Sequence, residues 1–446
     1  MLKTFSPLPP TQGPLNIFWF RRDLRLRDHR GLAMAMASGL PVMPLFIFDP
    51  DILEPLEDRD DRRLSLIMDA LMRMQEDLGR RNSALYVIHA RPAQAWEWLT
   101  RSLDIREVFC TEDYEPYARR RDDHISEGLC RQGIAFHAVK DQVVFGPAEV
   151  LKPDGKPYTV FTPYSRRWKE RLASDPGAIS PLPDPAGPFL SFITRLPSLE
   201  EIGFRASAYE TGSFPPVSDL ISGYADHRDR PDLAGTSRIG ALLRFGTIPV
   251  REAVSLALGL SETWLNELIW REFFMQVMWH FPHVTEGAFR SEYDALPWIN
   301  DPGDMKRWME GTTGFPIVDA GMRELLATGF MHNRVRMIVA SFLSKHLLID
   351  WRIGEAWFAR HLLDYELASN NGNWQWAAGT GCDAAPYFRI FNPWTQQQKF
   401  DPHSDYIRRW VPEFGRSGYP RPMLDHAQAR VRCLTAYGSI SRKTRP

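Results

Sequence analysis

An α/β unit built on a doubly wound parallel sheet, then a long linker, then an all-helical unit is the architecture that this 446-residue chain predicts. Three observations predict it. From Asn16 to about residue 141, short apolar runs alternate with amphipathic segments; residues 142–234 are dense in proline; beyond Gly235, apolar residues recur at spacings of three and four. Buried parallel strands are continuous apolar runs, and right-handed crossovers through helices gather such repeats into one sheet. Proline at that density breaks helices and strands, which makes 142–234 a linker over the surface. Neither a repeat nor a heptad seam is visible, so the second unit is expected to be a globular helical domain.

In chain order, the expected strands are NIFWF (16–20), VMPLFIFD (42–49), ALYVIHA (84–90), REVFCTE (106–112) and IAFHAVK (134–140). Helices are expected between them at 31–38, 62–81, 92–103 and 116–131. The first strand runs into FRRDLRLRDHRGL without a GxGxxG, so a dinucleotide fingerprint is absent, and taken alone this turn reads as a solvated loop. In the second unit the periodicity predicts helices at 239–245, 250–258, 261–280, 304–310, 318–328, 333–348 and 353–367.

Composition bounds the function. With 44% hydrophobic and 24% charged residues the chain is an ordinary globular protein. The opening MLKTFSPLPPTQGP has one Lys and no apolar run, so it is no secretory signal, and the tail before Leu15 is expected to be disordered. No segment has the length of apolar residues a membrane span needs, so no membrane partner is expected. Cys110, Cys130, Cys382 and Cys433 stand alone without CxxC or Cys/His spacing, which predicts no metal site, no disulfide framework and a reducing, cytoplasmic location. The formal net charge of -1 gives no global attraction to nucleic acid, so DNA binding would need a local basic patch. Fifteen Trp call for an explanation beyond core packing.

Four stretches carry residue types suited to chemistry. Residues 362–401 mix Trp374, Trp376 and Trp394 with Asn370, Asn371, Asn373, Gly372, Gly379 and Gly381, beside Asp364 and Glu366. This is poor helix and poor strand, and it suits the lining of a site for a flat polar ligand; an aromatic crossing between helices is the alternative. GTSRIGALLRFG places Thr236, Ser237 and Arg238 where a helix is expected to begin, which suits a pyrophosphate or an ordinary N-cap. NELIWREFF puts Glu267, Trp270 and Arg271 on one helical face, to hold a base or to form a surface pair beside a core Trp. In MHNRVRMIVASFL, Asn333 and Met337 share a face with Arg334 one residue round; Met at helical spacing is otherwise core.

The string DYELASNNGNWQWAAGTGCDAAPYFRIFNP closely resembles the flavin-binding signature of the DNA photolyase and cryptochrome family, and WFRRDLRLRD is similar to its opening strand and turn. The resemblance spans nearly all of residues 15–415 and is greatest to the class I cyclobutane pyrimidine dimer branch. It implies an antenna domain at 15–141, a linker at 142–234, an FAD-binding catalytic domain at 235–415 and a C-terminal tail at 416–446. By position it implies flavin contacts from Tyr224, Thr236, Ser237, Arg238, Ile239, Gly240 (where the family usually has Ser), Trp264, Arg271, Asn333, Arg336 paired with Asp364, Tyr365, Glu366 and Asn370. Glu267, Trp270, Asn333, Met337 and Trp376 match the lesion pocket. Trp374, Trp351 and Trp298 match an electron-transfer chain, and Arg228, Trp270, Arg334, Arg389 and Gln396 match DNA contacts. The implied activity is light-driven repair of pyrimidine dimers in UV-damaged DNA by a monomer carrying FAD and a second antenna chromophore, a folate, deazaflavin or flavin. The alternative is a cryptochrome-type photoreceptor without repair.

Overall fold

The computed structural model describes residues 2–443 apart from Ala186. They form two compact units interleaved along the chain. The first comprises Met1–Glu149, Arg171–Phe214 and Ile239–Leu256, and the second Val150–Glu170, Pro215–Arg238 and Ala257–Pro446. The stretch expected to be a linker is thus shared out between the two units rather than lying outside both.

The first unit holds a six-stranded sheet of β1 (Lys3–Thr4), β2 (Leu15–Phe20), β3 (Val42–Phe48), β4 (Tyr86–His89), β5 (Ile105–Thr111) and β6 (Ala135–Val139), in the order β1-β4-β3-β2-β5-β6. Its first helices are α1 (Arg30–Ala37), α2 (Pro50–Leu53), α3 (Arg62–Gly79), α4 (Pro92–Ser102) and α5 (Pro116–Cys130). Every residue of β2 and β3 is buried, as their unbroken apolar runs require of parallel strands covered on both faces. Ile17 sits opposite Met43 on one side and Val108 on the other. One expectation is overturned. The tail before Leu15 contributes β1, which pairs antiparallel with β4, and Tyr86 Oη donates to the Ser6 carbonyl at 2.9 Å. The unpaired backbone groups of the β4 edge draw it in, a long-range demand that local composition does not reveal.

Strand order reverses between β2 and β5, the place where open α/β sheets usually admit a ligand. Here the Arg-rich turn after β2 fills it. That turn is no solvated loop: Asp23, Arg25, Asp28 and His29 are all buried. Arg21 reaches Asp122 and the Thr111 carbonyl, Arg22 pairs with Glu115 at 2.9 Å, and His29 meets Asp23 at 3.0 Å. Behind them Asp141 is gripped by Arg25 and, at 2.7 Å, by Arg251. Burial alone would raise the Asp141 carboxyl, but the charges of Arg25, His29 and Arg251 hold it far below the usual carboxylate range. Its contribution to stability is therefore present above that range and is lost only in strong acid. Asp141→Asn, which leaves two buried guanidiniums short of a counter-charge, is expected to cost about 3–5 kcal/mol of unfolding free energy by denaturant titration at neutral pH. A loss well under 1 kcal/mol would show that the pair does not need its charge.

After β6 come α6 (Phe161–Ser174), α7 (Ser218–Ser222), α8 (Tyr224–His227), α9 (Gly240–Arg244) and α10 (Val250–Leu260). The second unit continues with α11 (Glu262–His280), α12 (Pro302–Glu310), α13 (Pro316–Thr328), α14 (Asn333–Ser341), α15 (Trp351–His361), α16 (Leu367–Ala378), α17 (Pro393–Phe400), α18 (Asp405–Trp410) and α19 (His426–Lys443). The helix expected at 333–348 widens into a π turn at Phe342–Leu347 and stops where Leu348 turns left-handed. That turn buries Lys345, whose ammonium donates to the Arg389 carbonyl at 3.0 Å and which burial pushes down to about 8. The expected helix at 353–367 ends earlier, at His361. The expected C-terminal tail holds α19, with Cys433 and Tyr437 fully buried and Tyr437 Oη donating to the Ala378 carbonyl at 2.6 Å. Among the described residues no helix is long and apolar enough to cross a membrane.

Candidate functional site

Helices α14, α15 and α16 and the turn between the last two line a partly open cavity in the second unit. From α14 come Asn333, Arg336 and Met337; from the turn Asp364, Tyr365 and Glu366; from α16 Asn370, Trp374 and Trp376. His332 starts α14 by accepting the Arg334 amide at Nδ1 over 3.2 Å. One helical turn on, Arg336 donates from Nε to the Met331 carbonyl at 2.7 Å and from Nη2 to Asp364 at 2.9 Å, the expected pair. A single guanidinium thus ties the start of one wall to the floor of the next.

The expectation that residues 362–401 avoid helix is overturned by α16 and α17. Asn favours turns because its amide competes for backbone groups; in α16 tertiary bonds take up the amides of Asn370 and Asn371. Asn370 Nδ2 donates to the Glu355 carbonyl at 3.1 Å, and Asn371 Nδ2 to Glu355 Oε1 at 3.1 Å and the Val284 carbonyl at 2.9 Å. Gly372 permits the close approach of α11, since a Cβ there would lie 2.1 Å from Phe274 Cδ1. Burial pushes the Glu355 carboxyl up to about 7. A raised acid adds stability below its unfolded value, about 4.3, and loses it as pH rises toward 7. Glu355→Gln is expected to remove that loss, gaining on the parent by up to about 3 kcal/mol between pH 5 and pH 8 in denaturant titrations. Parallel pH profiles for the two proteins would mean that Glu355 ionises normally.

Trp374 is 2% exposed, edge-on to Phe358 at 4.9 Å and to Trp308 at 6.2 Å. Trp351, 1% exposed, belongs to the same core, and half-buried Trp298 packs against it.

The other expected residues do not line the cavity. Along α11, Trp264 donates its indole N–H to Ser237 Oγ at 3.3 Å, Arg271 reaches Glu366 at 3.1 Å, and Glu267 pairs with Arg228 at 2.6 Å and takes a bond from Tyr224. Burial raises the Glu267 carboxyl and the Arg228 charge opposes it. Trp270 has one face covered by Phe161, stacked at 3.6 Å and 4°, with Phe274 offset at 5.3 Å. Thr236, Ser237 and Arg238 do not open a helix. Arg238 is left-handed at φ 49°, α9 begins only at Gly240 after Ile239, and five residues make no useful dipole. Arg238 and Arg336 instead flank Phe330, 4.3 and 5.6 Å from its ring centre. Arg334 is held by Asp229 at 2.7 Å. Arg389 is exposed and Gln396 half-buried, and neither lines the cavity.

Sequence reasoning missed Phe161, Asp229, Glu355 and the close approach at Gly372. Phe161 sat in the supposed linker; the others act through partners more than ten positions away, which periodicity cannot register.

Residues 16–186 match the family described as DNA photolyase, and residues 264–417 the FAD binding domain of DNA photolyase. A deoxyribodipyrimidine photo-lyase of Synechococcus sp. is 37% identical over 95% of this chain and 96% of its own. Among solved structures, a class III photolyase from Agrobacterium tumefaciens superposes with a TM-score of 0.84 at 30% identity over 98% of this chain and 100% of that one. An archaeal photolyase from Sulfolobus tokodaii, solved with two FAD molecules, superposes with 0.80 at 32% identity, covering 96% and 100%.

Proposed function

Since the chain belongs to the DNA photolyase family, we infer that it is a light-driven lyase that restores cyclobutane pyrimidine dimers in UV-damaged DNA to pyrimidines. The observation that carries this reading is the cavity, where Asn333, Met337 and Trp376 meet Arg336–Asp364, Asn370 and Trp374. The photoreceptor alternative has no observation in its favour.

The cavity residues fit flavin adenine dinucleotide. Flat indole and apolar walls face an amide and a guanidinium–carboxylate pair. Beside them, His332 accepts at Nδ1 and so carries its proton on Nε2, a buried donor without a partner among the described residues. When bound, reduced and excited by blue light, that group supplies one electron, which the dimer returns once its two cyclobutane C–C bonds have broken.

The chain's residues do the rest. We assign Asn370, Arg336, Asp364 and Arg271 to the flavin ring, and Arg238, Thr236 and Ser237 to its phosphates. Photolyases are among the enzymes that flip a base out of the stack. Trp376 and the open side of Trp270 would take the flipped dimer, stacking worth roughly 1–3 kcal/mol per base; Phe161 backs Trp270. The paired charges of Glu267 and Arg228 would face the negative charge that builds on the dimer carbonyls. Supports for this arrangement are the α11 face and the Arg228–Glu267 bond.

Reduced protein under blue light is expected to restore thymine dimers and to leave (6-4) products untouched. Repair of (6-4) products, or of neither lesion, would overturn the assignment. A second, light-harvesting chromophore accompanies this activity; the absorption spectrum of the purified protein, with released pigments identified, separates a folate, a deazaflavin and a second flavin. We place the protein in the cytoplasm as a monomer on DNA, which sedimentation of the free protein tests.

A further inference from the structure

We propose that Asp229 and Phe400 are positioning residues that hold Arg334 ready for one backbone phosphate of the damaged strand. The proposal rests on the assignment of Arg334 to DNA. Arg334 donates to a single Asp229 oxygen from Nε at 3.1 Å and from Nη2 at 2.7 Å, so the carboxylate grips the side edge of the guanidinium. The guanidinium also lies over the Phe400 ring, 4.4 Å from its centre. At the backbone, the Arg334 amide is fixed by His332.

A guanidinium has five N–H donors in one plane. The Asp229 grip uses the Nε donor and one on Nη2, which leaves the Nη1–Nη2 edge with the spacing that matches two oxygens of a phosphate. Nη1 makes no hydrogen bond among the described residues. Arg334 is only 16% exposed, whereas Asp229 is 41% exposed. The side chain is therefore largely wrapped rather than sampling solvent, and less ordering entropy is lost when the phosphate arrives. Arg228 differs, since its partner Glu267 is itself assigned to the lesion.

Two effects of Asp229 oppose each other: it orients Arg334, and it repels phosphates. Salt separates them. Repulsion of phosphates further off is screened over a Debye length of about 10 Å at 0.1 M salt and less above it, while the hydrogen-bonded grip at 2.7 Å lies well inside that length and is weakened less. At about 0.3 M salt, Asp229→Asn is expected to bind dimer-containing duplex several-fold more weakly than the parent. Repair per bound dimer should be unchanged, so KM rises and kcat does not. Arg334→Lys keeps the charge but offers no edge to grip, and should lose roughly tenfold in affinity, close to the loss in Arg334→Met. In the Arg334→Lys background Asp229→Asn should have no further effect on KM. Flavin content and melting temperature control for folding in every variant.

If Arg334→Met leaves affinity and its salt dependence untouched, Arg334 is not a DNA contact and the underlying assignment falls. If Arg334→Met weakens binding and flattens the salt slope by about one contact while Arg334→Lys binds like the parent, the charge alone matters and the positioning proposal is overturned. It is likewise overturned if Asp229→Asn binds as well as the parent at the higher salt, or weakens binding equally with Lys at 334.

Discussion

Trp374→Phe is expected to abolish efficient light-driven reduction of the bound flavin by an external reductant while leaving dimer repair intact. Trp374 lines the cavity with its indole 2% exposed, and the resemblance assigns it as the donor to a ring bound there. Phenylalanine keeps much of the shape but is far harder to oxidise. A barrier only about 1.4 kcal/mol higher already slows the step tenfold, and the change from indole to phenyl raises it by more. On the proposed assignment the repair electron goes to a dimer held beside Asn333, Met337 and Trp376, so protein reduced beforehand with dithionite should split dimers at close to the parent rate. The smaller ring leaves a void against Phe358 and Trp308, and a modest fall in melting temperature should accompany the change. Normal photoreduction in the variant would remove Trp374 from the donor role. Slow repair after chemical reduction would show that its main task is to pack the cavity wall.

Gly372→Ala is expected to weaken the fold and to spoil lesion binding, against the local trend. In an exposed helix interior, Ala is favoured over Gly by about 1 kcal/mol. At Gly372 the added Cβ would stand 2.1 Å from the Phe274 ring, and that ring, 6% exposed, is offset-stacked on Trp270 at 5.3 Å. Overpacking of this kind costs about 1–3 kcal/mol, enough to cancel the helical gain and reverse it. The strain should pass through Phe274 to Trp270, so affinity for a dimer should fall further than flavin content does. Combining Gly372→Ala with Phe274→Leu should recover much of both, a coupling a double-mutant cycle measures. A variant more stable than the parent would show that α11 and α16 have room to part.

How far the molecule could be read from its residues depended on how local each cause was. The strands β2 and β3 announce themselves because burial on both faces leaves no polar position to mislead. Asn370, Arg336, Asp364 and Trp374 were recognised through a resemblance over many positions, and the cavity brings them together. Elsewhere the cause lay far away in the chain. Helix α16 forms from Asn, Gly and Trp because Glu355 and Val284 accept its amides and Phe274 needs the space at Gly372. The Arg-rich turn is buried because Asp141, Asp122 and Arg251 come to meet it. Lys3 and Thr4 form a strand because an edge lacked a partner.

The interleaving of the two units sets the order in which this protein can be made. The sheet is complete when Val139 has been synthesised, yet Arg251, the fully buried partner of Asp141 and Asp28, is more than a hundred residues further on. At typical synthesis rates that is a delay on the order of ten seconds. During it the nascent sheet carries Asp28 without its Arg251 counter-charge and Asp141 with only Arg25 and His29 beside it. The same arrangement resists dissection into gene fragments. A fragment ending at residue 149 lacks Ile239–Leu256, and one starting at residue 257 lacks the stretch with Phe161 and the stretch with Arg228 and Asp229. Co-expressed halves divided at an exposed stretch after Leu256 would leave the first unit whole, and would still have to borrow residues 150–170 and 215–238 across the cut to finish the second.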